Sequence, residues 1–315
     1  MDEYNWVGGL EMKKIISLLL VLLCLVACTA NKPEEEEIDY SSPIDYSVVS
    51  PTGAPALSLL DFIDDEKMSF DFVEGSDVLQ AEFSSGEADV IIAPINLGAK
   101  LASATGNYKL VAVLTWGNLY LVSTVDEAEA AENPVAAFGE AAVPGKVLGY
   151  LSDALGVYEF EWFNAVNEAS AALLSGEYKS AVLAEPVLTM TKSKYEGDLN
   201  VLVNIQDLYK EVTGVDSYPQ AALFLNVKDL EEDVKNKELT DTIKNSIDLY
   251  NNDKEALSMR IDGVDISAMG FANPDLIKNA YPRMALNFKF AKDCKDEVKA
   301  FLNIFGMELD ENIIY

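Results

Sequence analysis

Along the chain, short apolar runs bounded by glycine, proline and acidic positions alternate with stretches whose apolar residues return every three or four positions. The first pattern predicts buried strands and the second predicts helices that cover them, which together define an α/β chain. Ile44–Val49 reads as the first strand of the body. Ser50-Pro51-Thr52-Gly53-Ala54-Pro55 turns from it into a helix over Ala56–Ile63. Tyr108–Leu114 and Leu119–Thr124 read as two strands across the tight turn Thr115-Trp116-Gly117-Asn118, and Asp126–Glu132 as an acidic helix. Val135–Phe138, Asn200–Asn204 and Gln220–Val227 read as further strands, the last introduced by Ser217-Tyr218-Pro219. The remainder reads as helical: Leu230–Tyr250, Lys254–Ile261, Pro274–Ala280 and Asp293–Phe305. In the first of these, Val234, Leu239, Ile243, Ile247 and Leu249 are apolar beside charged positions, as in a helix that covers a sheet.

One block of the pattern is written twice. Phe70–Val73, Ser76–Ser84 and Val90–Ala93 read as strand, helix and strand; so do Glu159–Phe163, Asn167–Leu174 and Ala181–Ala184. Gly86 and Gly176 stand 90 positions apart, as do Phe70 and Phe160, and Pro55 and Pro144 are offset by 89. That period is long for a solenoid and suits a whole small α/β lobe. Two related lobes with a cleft between them are expected: 44–124 together with 225–315 as the first, 125–224 as the second.

Composition narrows the function. With 315 residues, half of them apolar, the chain has enough material for one or two full cores. Its 23 basic and 53 acidic residues leave a net charge of −30, which is repelled by phosphate backbones and rules nucleic acid out as the expected partner. There is no histidine, so the commonest general base and metal ligand is missing. We expect no catalytic set, no metal and no cofactor. Gly139-Glu140-Ala141-Ala142-Val143-Pro144-Gly145-Lys146 comes close to a phosphate-binding loop, but its glycine spacing is too long and Val147 stands where a magnesium-binding hydroxyl belongs.

The cysteines are Cys24, Cys28 and Cys294, so the folded body cannot build a disulfide framework. Lys13-Lys14 precedes the apolar run Ile15–Ala27, which is short for a bilayer span and suits a secretory signal. Met1–Glu11 is acidic and unlike such a leader, which points to translation from Met12. Asn31-Lys32-Pro33-Glu34-Glu35-Glu36-Glu37 is a like-charged stretch that behaves as an extended tether. The expected layout is a signal over 1–27, a tether over 28–43, and the body.

Leu25-Val26-Ala27-Cys28 resembles the lipobox of bacterial lipoproteins, in which the signal is cut before the cysteine and that residue is acylated. Together with two α/β lobes joined by crossing strands, it makes the chain similar to ABC-transporter substrate-binding lipoproteins of the two-lobed type II periplasmic-binding-protein fold. The closer resemblance is to the nitrate, sulfonate, taurine and thiamine-precursor binders. It rests on Pro51-Thr52-Gly53-Ala54-Pro55, on Ala88-Asp89-Val90-Ile91-Ile92-Ala93-Pro94, and on Ser180–Thr189 with its Glu185-Pro186. No arginine stands near either lobe-one loop, a departure from a strong sulfonate or nitrate site.

The resemblance implies a monomeric hinged clamp on the extracytoplasmic face of the cell membrane, held there by its lipid. It closes on a small solute and passes it to a permease and its ATPase. The ligand is expected at helix starts, amides and aromatic walls: Thr52, Gly53, Ala54, Asn96, Trp116, Asn118, Pro144, Gly145, Asn164, Glu185 and Tyr218, with Cys28 as the lipidation site. Trp116 fits a hinge core equally well, and Glu185 fits either a ligand contact or a helix cap. Scarce basic residues and several aromatics favour a neutral or cationic heteroaromatic over an inorganic oxyanion. Two other classes fit the same pattern: an enzyme on this fold, of the pyrimidine-forming or menaquinone-pathway kind, and a ligand-sensing lipoprotein.

Overall fold

A computed structural model describes residues 45–315. The signal segment, the start at Met12, Cys28, the acidic tether and Ile44 lie outside the described residues. The strands are β1 (Ser47–Pro51), β2 (Ser69–Val73), β3 (Val90–Pro94), β4 (Tyr108–Trp116), β5 (Leu119–Ser123), β6 (Val135–Phe138), β7 (Phe160–Phe163), β8 (Ser180–Ala184), β9 (Asn200–Asn204), β10 (Pro219–Asn226) and β11 (Leu286–Phe290). The helices are α1 (Ser76–Ser85), α2 (Ile95–Thr105), α3 (Glu127–Ala131), α4 (Val143–Tyr150), α5 (Val166–Leu174), α6 (Val187–Lys194), α7 (Ile205–Thr213), α8 (Asp233–Asn252), α9 (Lys254–Gly263), α10 (Pro274–Ala280) and α11 (Lys295–Ile304).

The strands form two sheets, ordered β11-β4-β10-β3-β1-β2 and β7-β6-β8-β5-β9. The repeated blocks occupy matching places. In the first sheet β1 pairs in parallel with β2 and β3, and β3 pairs antiparallel with β10. In the second, β6 pairs in parallel with β7 and β8, and β8 pairs antiparallel with β5. The two repeat glycines share a backbone role. Gly86 (φ 67°) and Gly176 (φ 78°) both take the left-handed conformation just past a helix, where a side chain is strained.

Each half receives its antiparallel strand from the other pass of the chain. Leu119–Ser123, expected in the first lobe, pairs with β8 and β9 of the second sheet; β10, whose first residues were expected in the second lobe, lies between β3 and β4. The crossings therefore fall at Gly117-Asn118 and just before Pro219. No β4–β5 hairpin forms across Gly117-Asn118. Gly117 N–H donates instead to Ser217 Oγ (3.1 Å) and Leu119 N–H to Gln206 Oε1 (2.8 Å), so side chains near the return crossing satisfy the outward one.

Three apolar cores follow from the two sheets. On one face of the first sheet, Leu239, Ile243, Ile247 and Tyr250 of α8 pack with the buried stretch Ala56–Leu60. Val234 and Leu249 of that helix, expected on the covering stripe, point to solvent, because they fall off the face that the spacing 239, 243, 247, 250 defines. On one face of the second sheet, α5 buries Ala169, Ala172 and Leu173. The remaining faces share a continuous core that runs through the crossings, with Tyr218 stacked on Phe301 (5.8 Å between centroids) and Tyr209 edge-on to Tyr218 (5.3 Å).

Two further expectations change. The helix over Ala56–Ile63 is only a 3-10 turn, Ala56–Leu59, followed by turns. Ala56, Leu57, Ser58 and Leu59 are all buried, so this stretch lacks the one-sided pattern of a surface helix, and Arg260 holds its end by donating to the Leu60 carbonyl. The carboxyl-terminal part is not wholly helical either: Leu286-Asn287-Phe288-Lys289-Phe290 alternates in burial as the edge strand β11.

Candidate functional site

The carboxyl ends of the parallel strands in both sheets open into one cavity of about 330 Å³. From the first half, Thr52, Gly53, Ala54 and Pro55 line it after β1, and Pro94 at the end of β3. From the second, Phe138 ends β6, Val143 and Pro144 start α4, Ala184 ends β8, and Glu185 and Pro186 follow it. Thr115, Asn118 and Gln220, on or beside the crossings, close it at the back. The carboxyl ends of parallel strands are where loops are free to carry a ligand, because the sheet's own hydrogen bonds end there.

The loop after β1 is held by the backbone: Thr52 N–H donates to the Val73 carbonyl (3.2 Å) and Gly53 N–H to the Met269 carbonyl (2.9 Å). Behind it a row of amides runs from one sheet to the other. Gln220 Nε2 donates to Asn118 Oδ1, and Asn118 Nδ2 to the Glu185 carbonyl, both at 3.4 Å. These bonds are long, so a polar ligand competes for the same groups at little cost.

Glu185 is the buried charge of the site. Its Oε2 accepts from the Thr189 N–H (3.0 Å), and its Oε1 from Thr189 Oγ1 (3.0 Å) and Arg283 Nε (2.6 Å). Arg283 Nη2 donates on to Thr189 Oγ1 (2.6 Å), so a first-half arginine reaches over to the start of α6. The carboxylate side chain is fully buried, while the arginine remains 42% exposed. Sequence reasoning found Glu185 but missed Arg283, which lies 98 positions away in a short turn before β11. The missed edge strand is the element that delivers it.

Thr52, Gly53, Ala54, Asn118, Pro144 and Glu185 come together here; the other expected residues do not. Trp116 donates from Nε1 to the Asn287 carbonyl (2.7 Å), carries Lys289 Nζ 4.6 Å from its ring centroid, and lines a separate cavity of about 410 Å³ with Tyr120, Gln206 and Arg283. Tyr218 is fully buried between Tyr209 and Phe301, and its hydroxyl donates to Gln206 Oε1 (3.2 Å). Gly145, in the first turn of α4, leaves room for the preceding loop: a Cβ there would sit 2.1 Å from the Glu140 carbonyl oxygen. Asn164 is exposed, and its N–H donates to Glu168 at the start of α5. Asn96 lies in the first turn of α2, with an Oδ1 that is buried and finds no partner among the described residues. Pro186 also borders a third, mainly apolar space of about 310 Å³ between Met190 of α6 and Phe271 and Leu276 of the first half.

Two halves of matched topology, joined by crossing strands and enclosing a cavity at their strand ends, define a two-lobed α/β fold of the periplasmic-binding-protein type. Solved structures share it. An ABC transporter from Parabacteroides distasonis is 22% identical with a TM-score of 0.73, the match covering 87% of this chain and 99% of that one. The periplasmic aliphatic sulphonate binding protein SsuA from Escherichia coli is 12% identical with a TM-score of 0.62, covering 87% and 92%. A putative nitrate transport protein from Thermoplasma volcanium is 13% identical with a TM-score of 0.52, covering 84% and 96%. The likeness is one of fold. No family model and no curated protein matches the chain.

Proposed function

We propose that the protein is the solute-binding lipoprotein of an ABC importer. The observation that carries this reading is the cavity itself, lined in comparable measure by the two halves, so that a ligand touching both favours the arrangement in which they are closed. The solute is a small organic molecule, of the heteroaromatic vitamin-precursor kind or of the sulfonate and nitrate kind. The lobes divide at the crossings, with 45–116 and 219–315 as one and 119–213 as the other. No catalytic step is required of the fold.

The lipobox reading makes Cys28 the acylated residue and places the body on the extracytoplasmic face of the cell membrane, beside a permease and its ATPase. Monomers suffice, because each chain supplies both walls of its own cleft. The solved structures that share the fold, an ABC transporter, a sulphonate-binding protein and a putative nitrate transport protein, support this role.

A thermal-shift screen against nitrate, alkanesulfonates, pyrimidines, vitamin precursors and amino acids tests it. A bound solute at a hundred times its Kd adds about 2.7 kcal/mol and raises the melting temperature. A broad panel in which nothing does so overturns the reading. Loss of membrane retention in Cys28→Ala checks the anchor.

A further inference from the structure

The cavity of about 410 Å³ beside Trp116 is separate from the cleft: the two share no lining residue. It lies where the halves join. Gly117 and Ser217 mark the two crossings, Tyr120 and Gln206 come from the second half, and Arg283 and Glu297 from the first. Its size falls within the roughly 300–1,000 Å³ of small-molecule sites. Ala285, in its wall, is the one non-glycine among the described residues with a positive φ (56°). Its carbonyl accepts from Trp116 N–H (3.0 Å), so a strained backbone fixes the outward crossing to the segment before β11. Strain of this kind gathers at binding sites.

The charges in the lining balance: Arg283 and Lys289 are its cations, Asp216 and Glu297 its anions. The hydrogen bonds of Arg283 leave from Nε and Nη2, so Nη1 donates to none of the described residues. Lys289 Nζ stands 3.7 Å from Glu297 Oε1, beyond hydrogen-bond range, and lies over the Trp116 ring. Glu297 therefore keeps its acceptors, whereas Asp216 is already held by Lys210 (2.7 Å). The two usable charges are apart. From Leu286 to Lys289 the edge strand advances about 10 Å, with Arg283 before that stretch and Glu297 beside its far end. A singly charged ligand would meet as many like charges as unlike ones. A zwitterion can turn each of its charges to an opposite one, and the Trp116 and Tyr120 rings offer its side chain an apolar wall.

We propose that this cavity is a second small-molecule site, at the joint between the halves, for a zwitterion of the amino-acid kind. The ligand's carboxylate accepts from Arg283 Nη1, its ammonium donates to Glu297, and its side chain lies against Trp116 and Tyr120.

Calorimetric titration of the full chain with three probes of one skeleton tests it: phenylalanine, 3-phenylpropionate and phenethylamine, which are zwitterion, anion and cation. Phenylalanine is expected to bind at least about tenfold more tightly than either of the others. Glu297→Gln, checked for folding by its melting temperature, is expected to weaken phenylalanine by at least about tenfold without weakening 3-phenylpropionate. Arg283→Met is expected to weaken phenylalanine likewise, so the loss of one variant to misfolding leaves the other to decide. If phenylalanine does not bind the wild-type protein, or a singly charged probe binds as tightly, the inference falls. It falls too if phenylalanine binds both variants unchanged, because Glu297 and Arg283 line this cavity and not the cleft. That last result would put the amino acid in the cleft and favour the solute-receptor reading, so the two proposals fail separately.

Discussion

Arg283 Nε lies 2.6 Å from Glu185 Oε1, joining a turn before an edge strand of the first sheet to the loop after β8 of the second. The pair links the two halves directly, beside the covalent crossings. Removing the arginine leaves a buried carboxylate with only Thr189 as partner. Breaking a fully buried pair costs about 3–5 kcal/mol, but the exposed guanidinium discounts that, so Arg283→Met is expected to lose about 1–3 kcal/mol. Urea titration of Arg283→Met, Glu185→Gln and the double variant reads the coupling; equal and additive losses would show that the contact joins nothing.

The outward crossing tolerates no side chain at Gly117. A Cβ there would stand 2.6 Å from the Tyr218 ring and 2.8 Å from Gln206 Cγ, both in packed surroundings. Gly117→Ala is expected to destabilise by about 1–3 kcal/mol through overpacking. The displaced Gln206 also serves Leu119 N–H, so solute binding should weaken along with stability. A variant with unchanged melting temperature would show the crossing to be loosely packed.

Two aspartates near the start of β3 and the end of β10 set opposite pH dependences. Burial pushes the Asp89 carboxyl up, but hydrogen bonds from Ser47 N–H, Lys228 and the Ser47 hydroxyl outweigh it and hold it below the usual carboxylate range. Its folded value is depressed, so its contribution is present above the ordinary aspartate value and is lost as pH falls through the folded one. Asp229 is raised, by burial first and by the neighbouring Asp89 charge second, and its Oδ2 finds no hydrogen-bond partner among the described residues. It costs stability once ionised. Asp229→Asn is thus expected to raise the melting temperature at pH 7 and to lose that advantage in acid, while Asp89→Asn lowers it at pH 7. Melting curves from pH 3 to 8 distinguish the two, and parallel curves for both variants would contradict the assignment.

Cys294 is buried at the start of α11, and its Sγ donates to the Phe290 carbonyl (3.3 Å). Burial pushes the thiol up to about 12, so almost no thiolate is present at neutral pH. Native alkylation at pH 8 followed by peptide mass mapping should leave Cys294 unmodified, with full labelling only after denaturation. Prompt labelling of the folded protein would show that this core opens.

Local sequence determined every described strand but β11, most helices and the duplication. Val135–Phe138, Asn200–Asn204 and Pro274–Ala280 read directly, because an apolar run or a helix start with proline carries its own signal. The loops that line the cavity were legible for the same reason: Thr52–Pro55 and Glu185-Pro186 follow strands that the apolar pattern ends. What tertiary structure alone decided is which strand joins which sheet, and which distant side chain meets Glu185. β5 and β10 are apolar enough for either half, and only pairing assigns them. Arg283 has no motif around it and acquires its place through β11. Its contact spans 98 positions and depends on the packing of two sheets, information that no local window of sequence contains.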